Sequence, residues 1–568
     1  MMNKKYPLIA LGVLAGLTAC KDDNNDNTTD TTGPDQNYIG QAVGNFTADE
    51  WYPGGELGTT LDVSSTAYQN ETPATDELTN GAQRFKFGEM FFESEYNTSK
   101  KPFNGLGPAW VRSACITCHP GYGHGKRQTR YRANDYGNGY LLVVYHPEAG
   151  TDYMGAYPAN AYVREVTGMP QTKAAEPFLP PIDETKIDIQ WVKVTEMESG
   201  LPMKFEDEGS YELIYPEVTI KEEAFNTNPK PKDYKVLLES TIGIYGTGLL
   251  DAIPEEDLKA QYQKESEAGA KLNPAMWAGN DWAKSAWYTL ADGKQGIKRY
   301  TYALTRASLQ DGPGANAIWN ITNVTRSDRK KLYTTNAWAQ AMSENPNVIA
   351  AIKENGADPS KPLYSAVHPY YADGTDAGIA HAVRTLLSPD TDQTNNDVFN
   401  FTPEMEDKDY RDLMIWHRGL AVPRARNLND PAVQRGKELF TQMGCVHCHR
   451  PSWKTGSDDY WTSGNAKDLP KYPNQTIWPY TDMIQHQLHM KNDIRTGWCR
   501  TTPLWGRGLS LSNTGAEDRL HDCRARNEVE AIMWHAYSKE SHAYKAAEQF
   551  YHLKKADRDA VVKFLRSI

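Results

Sequence analysis

The sequence predicts a mainly α-helical protein with two related helical domains and a β-containing insertion. Three patterns predict this architecture. A Cys-x-x-Cys-His motif occurs twice, at 115–119 and 445–449, and each copy follows a helical pattern in which Gly and Phe lie four residues apart. Between the copies, residues 187–194 and 211–215 alternate polar and apolar side chains, as half-buried strands do. A chain of 568 residues is also long enough for two or three hydrophobic cores.

The repeated motif has the spacing of covalent haem attachment, in which two thiols form thioethers to haem vinyl groups and the next histidine ligates iron. A bare Cys-x-x-Cys also occurs in zinc sites and redox dithiols, which stay open as alternatives. The adjacent histidine and the second copy favour two covalently bound haem c groups. The predicted attachment cysteines are Cys115, Cys118, Cys445 and Cys448, and the predicted proximal iron ligands are His119 and His449.

The first 19 residues have the composition of a bacterial export signal. Lys4 and Lys5 form a basic region, residues 7–17 are mostly apolar, and Leu-Thr-Ala-Cys at 17–20 resembles a lipobox. That resemblance implies cleavage before Cys20, lipidation of its thiol and anchoring to a membrane by lipid, with a plain secretory signal as the alternative. The following Lys-Asp-Asp is similar to surface-export signals of Gram-negative lipoproteins. We therefore expect an outer-membrane lipoprotein of the cell envelope, periplasmic or surface-exposed.

Changes in composition and periodicity divide the chain into segments. An Asp/Asn/Thr-rich stretch without apolar period follows the signal and predicts a flexible tether. The expected boundaries are 1–19 for the lipoprotein signal peptide, 20–40 for the tether, 75–155 for the first c-type haem region, 156–240 for the β-containing insertion, 241–424 for a helical continuation of the first domain with loops, and 425–568 for a C-terminal cytochrome c-like domain.

Each haem motif is preceded by the kind of helix that a cytochrome c-like domain requires. Gly88 and Phe92 before the first motif are repeated as Gly436 and Phe440 before the second. A glycine lets two helices cross closely, and the Phe one turn later packs beside the crossing. Residues 559–568 place apolar side chains at i, i+3, i+4 and i+7. We therefore expect this terminal helix to cross the Gly436 helix.

Charge and cysteine content restrict the partners and the compartment. A formal net charge of -12 makes nucleic acid an unsuitable partner, and a mean hydropathy of -0.68 describes a polar body. Four of the seven cysteines belong to the haem motifs, and Cys20 belongs to the leader. In an oxidising compartment the remaining pair, Cys499 and Cys523, favours a disulfide over two free thiols.

Three further stretches, 246–256, 500–506 and 520–535, resemble the bacterial di-haem oxidoreductase family often labelled thiol oxidoreductases. This family is related to the di-haem cytochrome c peroxidases and to the methylamine-utilisation di-haem enzyme. The resemblance extends from about residue 80 to the C-terminus and is most specific in the last 140 residues. The sequence departs from the family by having Cys523 in place of Gly and Thr502 in place of Pro; a bridge to Cys499 would explain the first departure, and we have no interpretation of the second.

The resemblance implies a second axial ligand for the Cys445 haem. In the peroxidase relatives an axial Met lies 14 positions after the His of the His-Asp-Gly motif, and here that position, counted from His521, is His535. The ligand role therefore passes to His535, which would make this haem bis-histidine and lower its potential relative to His/Met ligation. The alternative is a histidine hydrogen-bonded near the haem edge.

No motif specifies a second ligand for the Cys115 haem. His124 would have to round the macrocycle within five residues, which span only about 17 Å when extended. An open position would suit a peroxidase-like role, with Glu165 as a candidate for the acid or base that assists O–O cleavage. The other histidines that could fill the position are His146, His368, His381 and His417.

These features predict an enzyme, a di-haem c-type cytochrome oxidoreductase that is peroxidase-like or thiol-oxidising. Its C-terminal haem would relay electrons to a reactive N-terminal haem. The expected partners are peroxide or a small thiol as substrate, and a redox partner protein or small electron donor. Calcium, held between the haem domains of the peroxidase relatives, is a further candidate ligand, although no acidic loop indicates its site. Two alternatives stay open: a lipid-anchored electron-transfer cytochrome without substrate chemistry, and a haem-bearing binding or iron-handling surface lipoprotein.

Overall fold

The computed structural model describes residues 35–147, 163–290, 293–309, 315–356, 358, 369–459, 468–494 and 496–568. The predicted signal peptide, Cys20 and most of the predicted tether lie outside these ranges. Asp35 is buried and its carboxylate pairs with Arg424 at 2.9 Å. The predicted tether, 20–40, therefore overlaps the folded body over residues 35–40. Within the described ranges we find no helix with the length and apolar content that a bilayer crossing requires.

Helices make up most of the regular structure of the described residues, in keeping with the predicted mainly α class. The helix that precedes the second haem motif has a capped start, with the Asp430 side chain accepting from the Ala432 N–H at 2.7 Å and Pro431 in the first turn. The α-helices of four residues or more among the described residues are α1 (Pro73–Asp76), α2 (Gly81–Glu93), α3 (Thr247–Asp251), α4 (Glu255–Glu267), α5 (Asn336–Glu344), α6 (Pro346–Gly356), α7 (Asp376–Leu387), α8 (Asp407–Arg418), α9 (Pro431–Gln442), α10 (Ser510–Thr514), α11 (Glu528–His535), α12 (Tyr544–His552) and α13 (Lys555–Ser567).

The described strands pair two by two, and no larger sheet forms among them. Only β1 and β12 run parallel; β2 pairs with β4, β3 with β7, β5 with β6, β8 with β9, β10 with β11, β13 with β14 and β15 with β16, all antiparallel. The strands are β1 (Thr59–Thr60), β2 (Ala109–Trp110), β3 (Leu141–Tyr145), β4 (Lys173–Ala174), β5 (Ile187–Lys193), β6 (Ile214–Ile220), β7 (Lys235–Glu239), β8 (Trp277–Ala278), β9 (Asp281–Trp282), β10 (Trp287–Thr289), β11 (Gln295–Ile297), β12 (Val422–Pro423), β13 (Trp453–Lys454), β14 (Thr476–Ile477), β15 (Gln485–Gln487) and β16 (Trp498–Arg500).

The predicted insertion contains the longest strand pair, β5 with β6. The first of these strands agrees with the pattern at 187–194, but the second begins at Ile214 and not at Tyr211. The alternation of buried and exposed side chains continues to Ile220. Tyr211 lies before the ladder, and its hydroxyl donates to the Pro202 carbonyl at 2.7 Å. That hydrogen bond keeps the residue in the connecting loop.

Two helix pairs cross at glycine, one before each haem motif. A Cβ atom on Gly88 of α2 would lie 2.0 Å from the Asp412 carbonyl oxygen of α8, and one on Gly436 of α9 would lie 2.0 Å from the Ala560 carbonyl oxygen of α13. Only glycine allows backbones to approach this closely. The predicted crossing of α9 by the terminal helix is confirmed, and α8 provides the matching partner of α2.

Separate buried clusters lie around these pairs. One surrounds the α2/α8 crossing, a second the α9/α13 crossing, and a third fills the insertion behind β3, β5, β6 and β7. A fourth, centred on Trp338 and Ile379, joins α5, α6 and α7. Between α4 and α5 the chain forms two hairpins, β8/β9 and β10/β11, with Trp277 opposite Trp282. The helical pattern expected over 241–424 is thus interrupted by short strands.

Candidate haem sites

The two Cys-x-x-Cys-His motifs adopt the same local conformation. Cys115–Thr117 and Cys445–His447 each form one 3-10 turn. The turn brings the amide of the following histidine back to the first cysteine, with His119 donating to the Cys115 carbonyl at 3.2 Å and His449 to that of Cys445 at 2.9 Å. His447, which lies between the two attachment cysteines of the second motif, is exposed.

The imidazoles of His119 and His449 are oriented by the same kind of hydrogen bond. Nδ1 of His119 donates to the Ile242 carbonyl at 3.0 Å, and Nδ1 of His449 donates to the Tyr480 carbonyl at 3.2 Å. Because a carbonyl only accepts, the proton sits on Nδ1 and the lone pair on Nε2 is free for a metal. Burial lowers the pKa of each imidazole to about 4, so both are neutral near pH 7.

An aromatic ring from the glycine-containing helix packs against each of these histidines. The ring centroids of Phe92 and His119 lie 6.0 Å apart, as do those of Phe440 and His449. Each Phe also contacts an aromatic residue of the crossing helix, Trp416 at 4.3 Å or Phe564 at 5.3 Å. The helix crossing therefore fixes one wall of each motif.

A second histidine lies near His449. His535 is the last residue of α11, whose N-cap Asn527 accepts from the Glu530 N–H at 2.9 Å. Nδ1 of His535 donates to the Ala531 carbonyl one turn earlier at 2.7 Å, which again leaves Nε2 unprotonated. Burial, and after it the proximity of His535, lowers the pKa of His449. The structure thus brings together the two histidines that the family spacing assigns to one iron.

A second histidine also lies near His119. His417 in α8 is 6% exposed, and its Nε2 has no hydrogen-bond partner among the described residues. Burial, and after it the proximity of His119, lowers the pKa of His417 to about 3. A buried ring nitrogen without a partner is costly and marks a place where a ligand fits. The described parts of the chain therefore single out His417 among the histidines considered for the first haem.

The other candidate histidines have different surroundings. Both ring nitrogens of His124 are engaged, Nδ1 with the Gly125 carbonyl at 2.9 Å and Nε2 with the Tyr302 hydroxyl at 3.1 Å. His146 contacts the Asp233 carbonyl at 3.3 Å in an exposed position. His381 is exposed beside Asp397, and His368 lies outside the described residues.

The C-terminal end of α8, which carries Trp416 and His417, is held by a buried ion triad. Arg418 donates to Asp251 at 2.9 Å and to Asp458, and all three side chains are at most 2% exposed. A Cβ on Gly248 would lie 2.3 Å from the Arg418 carbonyl oxygen. The 246–256 stretch therefore positions α8, and through it His417.

One comparison with known proteins bears on these sites. A family model described as "Di-haem oxidoreductase, putative peroxidase" matches residues 375–568. Over this region the chain is similar to the di-haem oxidoreductase family. The matched part includes α8, the second attachment motif and His535, so the predicted resemblance is confirmed there, and with it an oxidoreductase that uses haem. A search of curated proteins gave no match to the chain.

The leftover cysteine pair in an oxidising compartment led us to expect a Cys499–Cys523 disulfide, but the structure does not form this bond. Both residues are free thiols. The Cys523 sulfur is buried 3.3 Å from the Gly125 carbonyl oxygen and 3.6 Å from Nδ1 of His124, so its partners are not Cys499. Cys523 has φ +64°, a conformation that favours glycine. This backbone conformation gives a physical reason for the Gly that the family resemblance leads us to expect at this position.

Two further predicted features, the acid or base Glu165 and a calcium ion, receive no support from the described residues. Glu165 uses its backbone carbonyl to accept from Thr335 at 2.9 Å, and no contact of its carboxylate with the first attachment loop occurs among the described residues. Among the same residues, one group brings three metal-ligating atoms together, namely Cys448, Asp482 and His486. Thiol and imidazole do not suit calcium.

Sequence reasoning missed the Asp482–His486 pair, in which Nε2 of His486 lies 2.7 Å from an Asp482 carboxylate oxygen. The Asp482 N–H also donates to the Cys448 carbonyl at 2.9 Å, so the pair belongs to the surroundings of the second motif. The Asp-x-x-x-His spacing was the available signal, but such a spacing is common in surface segments.

Proposed function

We propose that the protein is a di-haem c-type cytochrome oxidoreductase of peroxidase-like type. In this proposal Cys445, Cys448 and His449 would hold a haem that relays electrons, and the first attachment motif would hold a haem at which peroxide is reduced. The observation that carries it is the difference between the two second histidines. His535 is oriented by its Nδ1 hydrogen bond as a ligand would be, whereas His417 presents a buried Nε2 with no hydrogen-bond partner among the described residues.

The residues present suit two covalently attached haems. Each motif offers two thiols, an imidazole whose Nε2 is free, and an aromatic wall. When bound, haem supplies one-electron redox chemistry and an iron at which peroxide can react. The protein's part is to orient the imidazoles, exclude water and provide a proton-exchange group.

We assign that proton-exchange role to His417. Reduction of hydrogen peroxide to two waters consumes two electrons and two protons. A neutral buried imidazole beside the site could accept a proton from peroxide and return it to the leaving oxygen. The orientation of α8 by the Arg418 triad would hold His417 in place during turnover. A small thiol is the second substrate class we consider, as an electron donor that becomes a disulfide when two thiols release two electrons and two protons.

A lipid-anchored electron-transfer cytochrome is the second candidate function, and the same His417 favours it. If Nε2 of His417 ligated iron, both haems would be six-coordinate and neither would bind peroxide. The lipid anchor at Cys20 and the outer-membrane location are parts of both proposals that rest on the sequence.

The test is rapid mixing of the fully reduced holo-protein with hydrogen peroxide, monitored by haem absorbance. We expect reoxidation of both haems in the wild type and a rate about 10- to 100-fold lower in His417→Ala. His381→Ala removes an exposed histidine and serves as the matched control, with an unchanged rate.

Each other outcome has a definite meaning. A wild-type protein that peroxide does not reoxidise contradicts the peroxidase proposal. Faster reoxidation in His417→Ala, with conversion of a low-spin haem to high-spin, would identify His417 as a ligand and favour the electron-transfer cytochrome. A parallel anaerobic experiment mixes the ferric protein with a small thiol, and haem reduction there would identify thiols as donors.

A further inference from the structure

We infer that Tyr302 and His124 form a proton-coupled electron relay between the two haem regions. The inference deepens the proposed function, because it names the residues through which electrons from the C-terminal haem reach the oxidised N-terminal haem. It rests on a buried phenol–imidazole pair that neither haem site uses.

The hydrogen bonding of this pair fixes the position of each proton. Nδ1 of His124 lies 2.9 Å from the Gly125 carbonyl oxygen and must donate to it, since a carbonyl only accepts. In the neutral imidazole, Nε2 is then an acceptor, and the Tyr302 hydroxyl donates to it at 3.1 Å. His124 is 5% exposed and Tyr302 is 6% exposed. The phenol thus has a base in contact and is shielded from solvent.

On one side the pair is joined to the first attachment loop. His124 follows His119 by five residues. The Gly125 N–H donates to the Thr241 carbonyl at 3.3 Å, and the Thr241 hydroxyl donates to the Cys118 carbonyl at 2.8 Å. His124 is therefore held against the segment that also positions Cys118.

On the other side the pair is joined to the second attachment loop. The Tyr302 carbonyl accepts from the Gln485 side chain and from the Arg500 N–H, both at 2.9 Å. Gln485 begins β15, three residues after Asp482, whose N–H donates to the Cys448 carbonyl. A continuous path of covalent and hydrogen bonds thus leads from Cys118 through His124 and Tyr302 to Cys448.

The relay step balances in electrons and protons. Peroxide, the oxidant of the proposed function, leaves the N-terminal haem oxidised. Tyr302 would give up one electron toward that oxidised site while its phenolic proton moves to Nε2 of His124, giving a tyrosyl radical and an imidazolium. One electron from the C-terminal haem then reduces the radical, and the proton returns to the phenolate oxygen. One electron has moved and no proton has been lost; two such cycles supply the two electrons of one peroxide.

The experiment compares Tyr302→Phe and His124→Gln with the wild-type holo-protein, after reduction of its C-terminal haem. Samples mixed with peroxide are freeze-quenched for electron paramagnetic resonance, and haem reoxidation is followed in H₂O and D₂O. Tyr245→Phe is the matched control, because Tyr245 is also buried but donates to the Trp505 carbonyl at 3.0 Å and has no imidazole partner. Gln at 124 can still accept the phenolic hydrogen bond but cannot take the proton.

We expect a tyrosyl radical signal in the wild type and in Tyr245→Phe, and its loss in Tyr302→Phe and His124→Gln. Reoxidation of the C-terminal haem should slow by about 10- to 100-fold in both relay variants. In these variants the reoxidation rates in H₂O and D₂O should become equal, whereas in the wild type the rate should be lower in D₂O. Unchanged reoxidation rates in Tyr302→Phe would overturn the inference. A wild-type radical signal and rate in His124→Gln would also overturn it, because they would show that residue 124 has only a structural role.

A second arm replaces peroxide with a flash-activated ruthenium polypyridine oxidant. It tests oxidation of Tyr302 without peroxide chemistry, with the same expected loss of radical in the two variants. If peroxide does not oxidise the wild-type protein but the ruthenium oxidant produces the tyrosyl radical, the proposed function is contradicted and the relay still holds. A radical that survives in Tyr302→Phe in this arm overturns the relay itself.

Discussion

The regions around His119 and His449 are built on the same frame and differ in their second histidine. In both, a glycine-containing helix crosses a later helix, a Phe packs 6.0 Å from the histidine ring, and a backbone carbonyl fixes Nδ1. His535 stands at the end of its own helix, whereas His417 lies within the crossing helix itself. The two regions therefore share the same helix crossing and histidine orientation. They differ in which helix carries the second histidine beside the expected haem.

The two crossing helices are also anchored differently. The end of α8 is held by Arg418 between two carboxylates that are fully buried. The end of α13 carries Arg566, which is 43% exposed and pairs with Glu517 and Glu528 near the surface. In the first region the arginine itself is buried between its two carboxylates, whereas in the second Arg566 is partly exposed and shares Glu528 with the buried Arg519.

The largest expected effect follows from that difference. Arg418→Ala leaves Asp251 and Asp458 buried without their cation and should reduce the free energy of unfolding by about 3–5 kcal/mol. Arg566→Ala should cost about 1 kcal/mol or less, because Arg566 is 43% exposed and the buried Glu528 keeps its ion pair with Arg519. Urea unfolding of the two variants measures both. Equal losses would show that the anchoring of the two regions is not different.

A smaller effect tests what the regions share. Gly88→Ala and Gly436→Ala each place a methyl group against a backbone oxygen 2.0 Å away and should each reduce the free energy of unfolding by about 3 kcal/mol. Gln83→Ala, at an exposed position of α2, is the control and should change little. Destabilisation by only one of the glycine substitutions would break the proposed equivalence of the frames.

The smallest expected effect concerns the junction of the regions, where Cys523 contacts His124. Mass spectrometry of the unfolded, non-reduced protein after alkylation should find both Cys499 and Cys523 modified, and reductant should not shift the unfolding midpoint. A mass lower by two hydrogens, with neither thiol alkylated, would show that the disulfide forms and would contradict the Cys523–His124 contact.

The sequence predicts the shared frame well because its determinants are local. Gly436 with Phe440 and the Asp430–Pro431 start are short-range signals whose physical roles are specific. His417 could not be selected in this way. Its proximity to His119 depends on α8 packing across α2, which joins segments far apart in the chain.

The disulfide prediction was wrong for a related reason. The sequence indicates an oxidising compartment but not the distance or direction of two side chains, and a bridge needs both. The left-handed backbone at Cys523 and its contact with Gly125 arise from the tertiary structure. The Tyr302–His124 pair was equally inaccessible, because the two residues meet only at the junction of the regions.

The ferric electron paramagnetic resonance spectrum of the holo-protein tests the difference between the regions most directly. Our account predicts one low-spin haem, ligated by His449 and His535, and one high-spin haem at His119. In His535→Ala both haems should be high-spin. Two low-spin haems in the wild type, or a low-spin signal that survives in His535→Ala, would contradict the account.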